Sequence, residues 1–297
     1  MQKCLIVVNG FYINENVQYK IERLREEFAS LDVQVDVKDS ITLLTKTDGN
    51  QLFLDVQDYD FCIDMDKDHY LAKALSMLLP MFDGYEGLTT SDDKMESILA
   101  LYQSGIQSIK TITAPLCYVP PKEEDIKRFL DQVENEFGYP MVCKDCHGSL
   151  GKQVFLIHDR EELEKHYRQN YEKEHLYEQF LKKHQGHDYR LMVISGEVVA
   201  CMERINENDF RSNIALGGKG KDVTNTISQD IKDMAIKVCK VLKLDYAGID
   251  IGLDDNDSPV FIEANGNAFF TEIEKVCHIN VARKFALMAV NKISKQK

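Results

Sequence analysis

Two apolar segments near the C-terminus of the chain carry acidic and amide side chains in positions where strands are normally apolar. Asp250 lies inside the run Ala-Gly-Ile-Asp-Ile, and Glu263 and Asn265 follow the run Val-Phe-Ile. Turn-forming residues at 254–258 separate the two runs, so the pattern predicts a β-hairpin over residues 247–265. This hairpin is the strongest constraint on the fold, because polar side chains in buried strands need a partner.

The geometry of a strand indicates what that partner is. Residues two apart face the same side, so Glu263 and Asn265 project together, and folding the hairpin brings Asp250 opposite Glu263. Oxygen ligands without Cys or His favour Mg²⁺ shared with substrate phosphates over zinc. The alternative is a solvent face with incidental acids, which is weakened because facing like charges destabilise a sheet that lacks a cation.

A glycine loop, His-Gly-Ser-Leu-Gly-Lys at residues 147–152, follows an apolar strand that contains Lys144. Glycines and a serine let backbone amides approach an anion, although glycine loops between strands are often hairpin tips without a ligand. The loop does not match the Walker pattern. Lys144 changes the balance, because a charge in an apolar strand needs an anionic partner or a route to solvent. We interpret it as a point charge for nucleotide phosphates.

Three arginines follow on another predicted hairpin and its exit. Arg190 enters one strand, Arg204 ends the returning strand, and Arg211 precedes Ser212 and Asn213. A single arginine is usually a surface charge. Three near one hairpin are consistent with an anion-binding patch.

Composition limits the possible partners. The formal net charge is −13 and no dense Lys/Arg run is present, so we expect no nucleic-acid partner, which would need a basic face. No apolar stretch reaches the ~20 residues that cross a bilayer, and the eight Cys are scattered, so we expect a cytoplasmic protein with reduced thiols and no membrane partner. Cys143 and Cys146 form a single CxxC, for which a metal or redox role is disfavoured.

The order of elements predicts the architecture. The first 90 residues alternate strand and helix patterns, typical of a parallel sheet. Ser91, followed by two Asp, is the expected N-cap at the start of a second unit. From residue 141 the chain is interpreted as mainly antiparallel strands with two helices. We therefore expect an α/β (α+β) fold with a small parallel N-terminal domain at 1–90, a central α+β subdomain with the glycine loop at 91–175, and a C-terminal antiparallel-sheet subdomain with the magnesium site at 176–297.

Taken together, these segments resemble the ATP-grasp superfamily, and specifically its RimK-like branch of glutamate and amino-acid ligases. Each motif is weak alone, but their order and spacing over residues 91–297 are specific. The motifs are Asp93-Lys94, Lys144 with 148–151, and the segments 178–181, 188–190, 209–213, 217–218, 247–250 and 263–265. The resemblance implies the ATP-grasp fold.

The resemblance also implies a role for each matched residue. The residues implied to hold ATP on two sides and under a closing loop are Lys94, Lys144, Gly148, Ser149, Leu150 and Gly151. The adenine linker and the ribose-side contact would be Glu178, Gln179, Phe180, Leu181 and Asp188. The residues implied to serve catalysis are Arg190, Arg204, Arg211 and Asn213, and the last three would face the phosphates and the acyl substrate. The implied magnesium ligands are Asp250, Glu263 and Asn265.

The activity implied is that of a carboxylate–amine ligase that forms an amide through an acyl phosphate. Its cofactors would be ATP and Mg²⁺, with two ions expected and Mn²⁺ as a substitute. Its partners would be a carboxylate and an amine, supplied by an amino acid, a peptide or a protein terminus, and a homo-oligomer is an open option.

Two departures from the family pattern leave the acceptor open. The family often has proline after the loop lysine, where this chain has Asp145, and residues 266–270 replace the usual Ser/Pro-Gly continuation. Two alternatives therefore remain: a D-alanine–D-alanine-like dipeptide ligase, and a nucleotide-binding regulatory protein without ligase activity.

Overall fold

The computed structural model describes residues 2–296, which form three main sheets surrounded by helices. The strands are β1 Gln2–Val8, β2 Val33–Asp39, β3 Lys46–Thr47, β4 Leu52–Phe53, β5 Phe61–Asp64, β6 Thr111–Thr113, β7 Met141–Asp145, β8 Val154–Ile157, β9 His175–Gln179, β10 His187–Ile194, β11 Glu197–Ile205, β12 Lys219–Asp222, β13 Tyr246–Leu253 and β14 Pro259–Asn265. The helices are α1 Glu15–Ala29, α2 His69–Leu78, α3 Tyr85–Asp92, α4 Lys94–Ala100, α5 Glu123–Phe137, α6 Arg160–Asn170, α7 Gln229–Val241, α8 Thr271–Cys277 and α9 Val281–Gln296.

The N-terminal sheet has the order β2-β1-β5, and both pairings are parallel. Strand β1 is buried from Cys4 to Val8, as expected for a parallel strand covered on both faces. Helix α1 begins at the N-cap Asn14, whose side chain accepts a hydrogen bond from the Val17 amide, and its buried side chains pack on this sheet. The predicted parallel α/β unit is confirmed.

The central sheet has the order β6-β9-β7-β8 with antiparallel pairings. Helix α5 packs on it through Ile126, Leu130 and Val133. Gly138 ends that helix with φ +61°, a left-handed value that glycine adopts without a Cβ clash. Strand β9 pairs with β7 as far as Gln179, so this sheet extends beyond residue 175. The division of the chain into three units stays a prediction.

The C-terminal sheet is antiparallel, with the order β12-β11-β10-β13-β14. Ser195 and Gly196 join β10 to β11 with φ values of +50° and +77°, which suit a two-residue hairpin turn. The predicted C-terminal hairpin is confirmed as β13–β14, with Asp250 directly opposite Glu263 and a register shift immediately after Asp250.

Two local expectations were wrong. Ser91 is not a helix N-cap: it lies in the last turn of α3, and its hydroxyl donates to the Leu88 carbonyl. The cap is Asp93, whose carboxylate accepts from the amides of Met95 and Glu96 at the start of α4. The region after residue 141 contains α6, α7, α8 and α9 rather than two helices. Every helix within residues 2–296 falls short of the length and apolarity that a membrane span requires.

Candidate functional site

One cleft between the central and C-terminal sheets collects most of the residues singled out in the sequence. It encloses about 940 Å³ including its open mouth. All the predicted site residues line it except Leu150, Arg190 and Asn265, which line a larger adjoining cleft. The two clefts share Ser149, Arg204, Asn213 and Glu263, so the predicted residues surround one continuous space.

The central-sheet wall carries a buried ion pair. Lys144 on β7 and Glu178 on the neighbouring strand β9 place Nζ and Oε2 2.5 Å apart. Both residues are buried, so each supplies the opposite charge that the other needs away from water. The anionic partner that the sequence required for Lys144 is therefore Glu178 in this structure, and the Lys144 ammonium lies at the cleft wall.

The glycine loop is held from both sides of the cleft. Lys94 Nζ donates to the Gly148 carbonyl at 3.3 Å and lies 3.8 Å from Glu263 Oε1. On the other side, Arg211 Nη1 donates to the Gly151 carbonyl at 2.8 Å. A Cβ at Gly151, where φ is +69°, would lie 2.6 Å from Asn213 Oδ1, so the loop approaches the connection between β11 and β12 as closely as glycine allows.

The floor of the cleft on the C-terminal sheet is a network of cross-strand charge pairs. Register places Arg190 on β10 opposite Asp250 on β13, and Asp188 opposite Arg204 on β11. Arg190 binds both oxygens of Asp250, and Arg204 binds both oxygens of Asp188 at 2.7 and 2.5 Å. Arg204 Nη2 also lies 3.0 Å from Asp250 Oδ2. Opposite charges facing each other across strands stabilise the sheet.

Electrostatics keep the central carboxylate ionised. Burial acts to raise the pKa of Asp250, but the guanidinium charges of Arg190 and Arg204 outweigh burial, so its pKa lies below the usual value. Burial likewise acts to lower the pKa of Arg204. The negative charges of Asp188 and Asp250 outweigh burial, so the pKa of Arg204 lies above its usual value. Asp250 therefore keeps a negative charge near neutral pH despite its burial.

The hairpin residues fit a hard divalent cation. An ionised carboxylate has about four lone-pair positions, and the arginines occupy one on Oδ1 and two on Oδ2 of Asp250, which leaves one on Oδ1. Glu263 is only partly buried and faces both clefts. Asn265 lies two residues beyond Glu263 on the same strand and lines the larger cleft, where its amide Oδ1 could serve as a neutral ligand. The set contains only oxygen ligands, which suits Mg²⁺ and not zinc.

Several residues have surroundings that the sequence did not reveal. Both oxygens of Asp188 are engaged by Arg204, so a ribose contact would have to share them. Asp64 and Asp66, at the end of β5, line the adjoining cleft and were not singled out. The sequence feature that could have identified them is the run Asp-Met-Asp-Lys-Asp, which follows the apolar residues of a buried strand. Parallel sheets bind ligands beyond the carboxyl ends of their strands, so acidic residues at that position are candidate ligand contacts.

The CxxC pair is shielded. Cys143 and Cys146 are both buried, and burial raises the pKa of the Cys143 thiol and raises that of Cys146 to about 12. A protonated, buried thiol is a poor nucleophile and a poor metal ligand. The burial of both thiols is consistent with a structural role for the CxxC pair, which the sequence favoured over a metal or redox role.

Comparison with protein families gives a match over most of the chain. A model described as the RimK-like ATP-grasp domain matches residues 91–289. A relative from Mycoplasma pneumoniae, named uncharacterized protein MG012 homolog, is 28% identical over 267 residues and covers 88% of this chain and 90% of its own length.

Two further similarities are more distant or more partial. Human N-acetylaspartylglutamate synthase A is 33% identical over 160 residues, which cover 53% of this chain and 40% of the human protein. This chain therefore spans less than half the length of that relative. The crystal structure of the D-cycloserine synthetase DcsG superposes with a TM-score of 0.74 at 13% identity, covering 98% of this chain and 99% of that chain, a likeness of fold.

Proposed function

Because the chain belongs to the RimK-like ATP-grasp family, it is an ATP-dependent ligase of carbon–nitrogen bonds, and we propose that it joins a carboxylate to an amine through an acyl phosphate. ATP lies in the cleft between the central and C-terminal sheets. The observation that carries this proposal is the convergence of Lys94, Lys144, the glycine loop and the β13–β14 carboxylates on one continuous space.

Lys144 and Lys94 contact the phosphates from the central wall, and backbone amides of residues 148–151 cover them. The adenine lies against the strand exit at Gln179, Phe180 and Leu181, which line the same cleft. Asp250, Glu263 and Asn265 would hold Mg²⁺, with two ions and replacement by Mn²⁺ as part of the proposal. When bound, the metal offsets phosphate charge during transfer.

The first chemical step transfers the γ-phosphoryl group. A carboxylate oxygen of the substrate forms a bond to the γ-phosphorus, the bond to the β,γ-bridging oxygen breaks, and ADP leaves. The side chains need only position the reactants and offset charge. Arg211 and Asn213, which contact the glycine loop, and Arg204 at the junction of the two clefts face the site of transfer.

The second step forms the amide. The amine nitrogen bonds to the acyl carbon, and phosphate leaves with the electron pair of the carbon–oxygen bond and takes up the proton that the nitrogen loses. The oxyanion that forms transiently needs fixed donors at short range. Arg190 and Arg204, held in place by Asp250 and Asp188, are the guanidinium groups positioned to supply them.

For the identity of the substrates, we propose an amino acid, peptide or protein terminus as one partner. The name of the human relative describes a synthase of an aspartyl-glutamate amide, which makes glutamate the first amino acid to test. A cytoplasmic location and a homo-oligomer also remain part of this proposal.

The proposal is tested with ATP labelled at the γ-phosphate, Mg²⁺, and a matrix of carboxylates and amines that includes glutamate and D-alanine. Products are identified by mass spectrometry. For any productive pair, the carboxylate is then labelled with ¹⁸O. We expect ADP release that requires both substrates, and one ¹⁸O atom in the released phosphate, since the acyl phosphate oxygen originates from the carboxylate.

ATP binding without any substrate-dependent ADP release, in this matrix and in a cell extract, would favour a regulatory nucleotide-binding protein instead. Formation of AMP and pyrophosphate with a productive pair would contradict the acyl-phosphate route. D-Alanyl-D-alanine as the preferred product would identify the dipeptide-ligase alternative.

A further inference from the structure

The larger adjoining cleft has a wall built by the carboxyl edge of the N-terminal parallel sheet. It encloses about 3130 Å³ including open space, more than one amino acid fills. Asn9 follows β1, and Asp64 and Asp66 lie at and beyond the end of the adjacent strand β5. The carboxyl edge of a parallel sheet is where such folds bind ligands.

Two carboxylate oxygens on this wall have no hydrogen-bond partner among residues 2–295. Asp64 is only 2% exposed, yet lines the cleft, and its Oδ1 accepts from the Asp66 amide while its Oδ2 is buried without a hydrogen bond. Asp66 Oδ1 accepts from Asn9 Nδ2 at 3.0 Å and from the Lys67 amide, and its Oδ2 is also buried and unpaired. A buried carboxylate oxygen without a partner is costly, so two such oxygens on residues joined by the Asp66 amide contact indicate a missing donor.

The basic residues of the cleft pair with other groups and do not donate to these oxygens of Asp64 and Asp66. Lys67 pairs with Asp92, Arg190 with Asp250, and Arg204 with Asp188 and Asp250. The two histidines of the lining also have partners, His69 at the Tyr85 hydroxyl and His147 beside Asp93. The remaining charged lining is predominantly acidic: Asp68, Asp93, Glu96, Glu174, Glu263 and Glu272. The N-terminal wall therefore presents negative charge to a ligand, opposite the cationic groups that surround the phosphate site.

We propose that this wall binds a primary alkylammonium group of the amine substrate, with Asp64 and Asp66 as its acceptors. An ammonium carries three donors and no acceptor, which matches two unpaired carboxylate oxygens beside an asparagine side chain. The bound group is a cationic anchor on the N-terminal wall of the cleft. The wall disfavours a dicarboxylate without an amine, such as glutarate, because like charges repel.

The ionisation of the wall supports this chemistry. Burial raises the pKa of Asp64 to about 8, an effect opposed by the Asp66 amide and reinforced by the charges of Asp66 and Asp68. Without a cation the Asp64 carboxyl is therefore largely protonated at neutral pH. An ammonium close to its oxygens favours the ionised form, so binding releases a proton.

The identification of the ligand as a substrate rests on the proposed ligase function. Binding of an ammonium group to the wall can be measured without turnover. The full-length protein, saturated with Mg²⁺ and a non-hydrolysable ATP analogue, is titrated calorimetrically with 1,5-diaminopentane, with glutarate and with 1,5-pentanediol. These probes share a five-carbon chain and differ in charge. Nα-acetyl-L-lysinamide forms a second arm that distinguishes a lysine side chain from a free diamine.

We expect saturable binding of one of the two ammonium probes, at least about tenfold tighter than that of glutarate or the diol. The heat should depend on the ionisation enthalpy of the buffer, since a proton is released. Tighter binding of Nα-acetyl-L-lysinamide would identify a lysine side chain as the ligand, and tighter binding of 1,5-diaminopentane would identify a free diamine. This comparison uses the unaltered protein, so it does not depend on the folding of a variant.

The variant Asp64→Asn/Asp66→Asn removes the acceptor charges and should weaken the ammonium probe about tenfold or more while the ATP analogue binds as before. Asp58→Asn, an exposed position of the same domain outside the cleft, is the matched control and should bind the probe normally. Equal binding of glutarate and the ammonium probes, or undiminished binding by the double variant, would overturn the proposal. Failure to bind the ATP analogue would instead count against the proposed function.

Discussion

At the residue scale, the Lys144–Glu178 pair separates a structural role from a role in phosphate binding. Lys144→Met leaves Glu178 buried without its cation, which costs about 3–5 kcal/mol of stability. Lys144→Met/Glu178→Gln should recover most of that loss in chemical denaturation, because both charges are gone. Turnover measured by ADP release should stay about 10²-fold below wild type in both variants, since a fixed charge contact is missing.

Lys127 provides the control for the loss of a lysine, because it is exposed and pairs with Asp131 on the surface of α5, outside both clefts. Lys127→Met should leave both stability and turnover near wild type. Recovery of turnover in the double variant would show that Lys144 matters only as a structural partner of Glu178, and the phosphate contact would then be wrong.

Glu263 provides the second residue-scale prediction. It faces both clefts opposite Asp250, so Glu263→Gln removes one charged ligand from the proposed metal site. The Mg²⁺ concentration for half-maximal ADP release should rise about tenfold or more. Exposed Glu207→Gln serves as the control, and an unchanged Mg²⁺ titration for Glu263→Gln would remove Glu263 from the ligand set.

The pairing of Asp250 shows what a single sequence can reveal at this scale. Alternation along strands correctly placed Asp250, Glu263 and Asn265 on one hairpin, because strand period and turn length fix the local register. It did not reveal that Arg190 binds Asp250, because that contact depends on the pairing of β10 with β13, strands about sixty positions apart along the chain. Local patterns carry no information about such non-local register.

At the scale of elements, the glycine loop is the segment whose backbone matters most. At Gly151, where φ is +69°, the Cβ of an alanine would lie 2.6 Å from Asn213 Oδ1. At Gly49, where φ is +95°, the Cβ of an alanine would have nothing within 4 Å. Both substitutions strain the backbone by about 1–2 kcal/mol. Only Gly151→Ala should also displace the loop, raising the KM for ATP or lowering kcat about tenfold to a hundredfold.

Steady-state kinetics at varied ATP, together with thermal unfolding, distinguish the two effects. Equal kinetic changes in Gly49→Ala and Gly151→Ala would indicate that backbone strain alone is responsible. The close approach of Gly151 to Asn213 would then not matter for activity.

Element boundaries were predictable where one signal dominated. The hairpin β13–β14 followed from the turn residues at 254–258. The junction of α3 and α4 did not, because Ser91 and Asp93 are both good capping residues and only tertiary contacts decide between them. Ser91 donates to Leu88 and accepts from the Gly266 amide, which holds it inside α3 and leaves the cap to Asp93.

At the scale of the whole molecule, Lys20 links the N-terminal unit to the segment that follows the β14 ligands. Its buried ammonium donates to Asn267 Oδ1 at 2.7 Å and to the Ala268 carbonyl at 3.2 Å. Burial lowers the pKa of Lys20 to about 7, partly offset by Asp83. Between pH 7 and about 10 the unfolded chain therefore binds more protons than the folded protein at this site, so this site makes stability rise with pH.

Lys20→Met removes that titration. The free energy of unfolding of wild type relative to Lys20→Met should increase as pH rises from 7 to 10, measured by denaturant titration at each pH. A difference that stays constant over this range would show that Lys20 keeps an ordinary pKa in the folded protein.

The central claim is that oxygen ligands from the C-terminal hairpin hold a divalent cation beside the ATP triphosphate. The most direct measurement is a crystal structure with a non-hydrolysable ATP analogue and Mn²⁺, recorded at an energy where manganese scatters anomalously. The account predicts a manganese peak bound by Glu263, Asn265 and the free lone pair of Asp250, with the triphosphate between that ion and Lys144. Manganese remote from the hairpin, or a triphosphate outside the cleft, would contradict it.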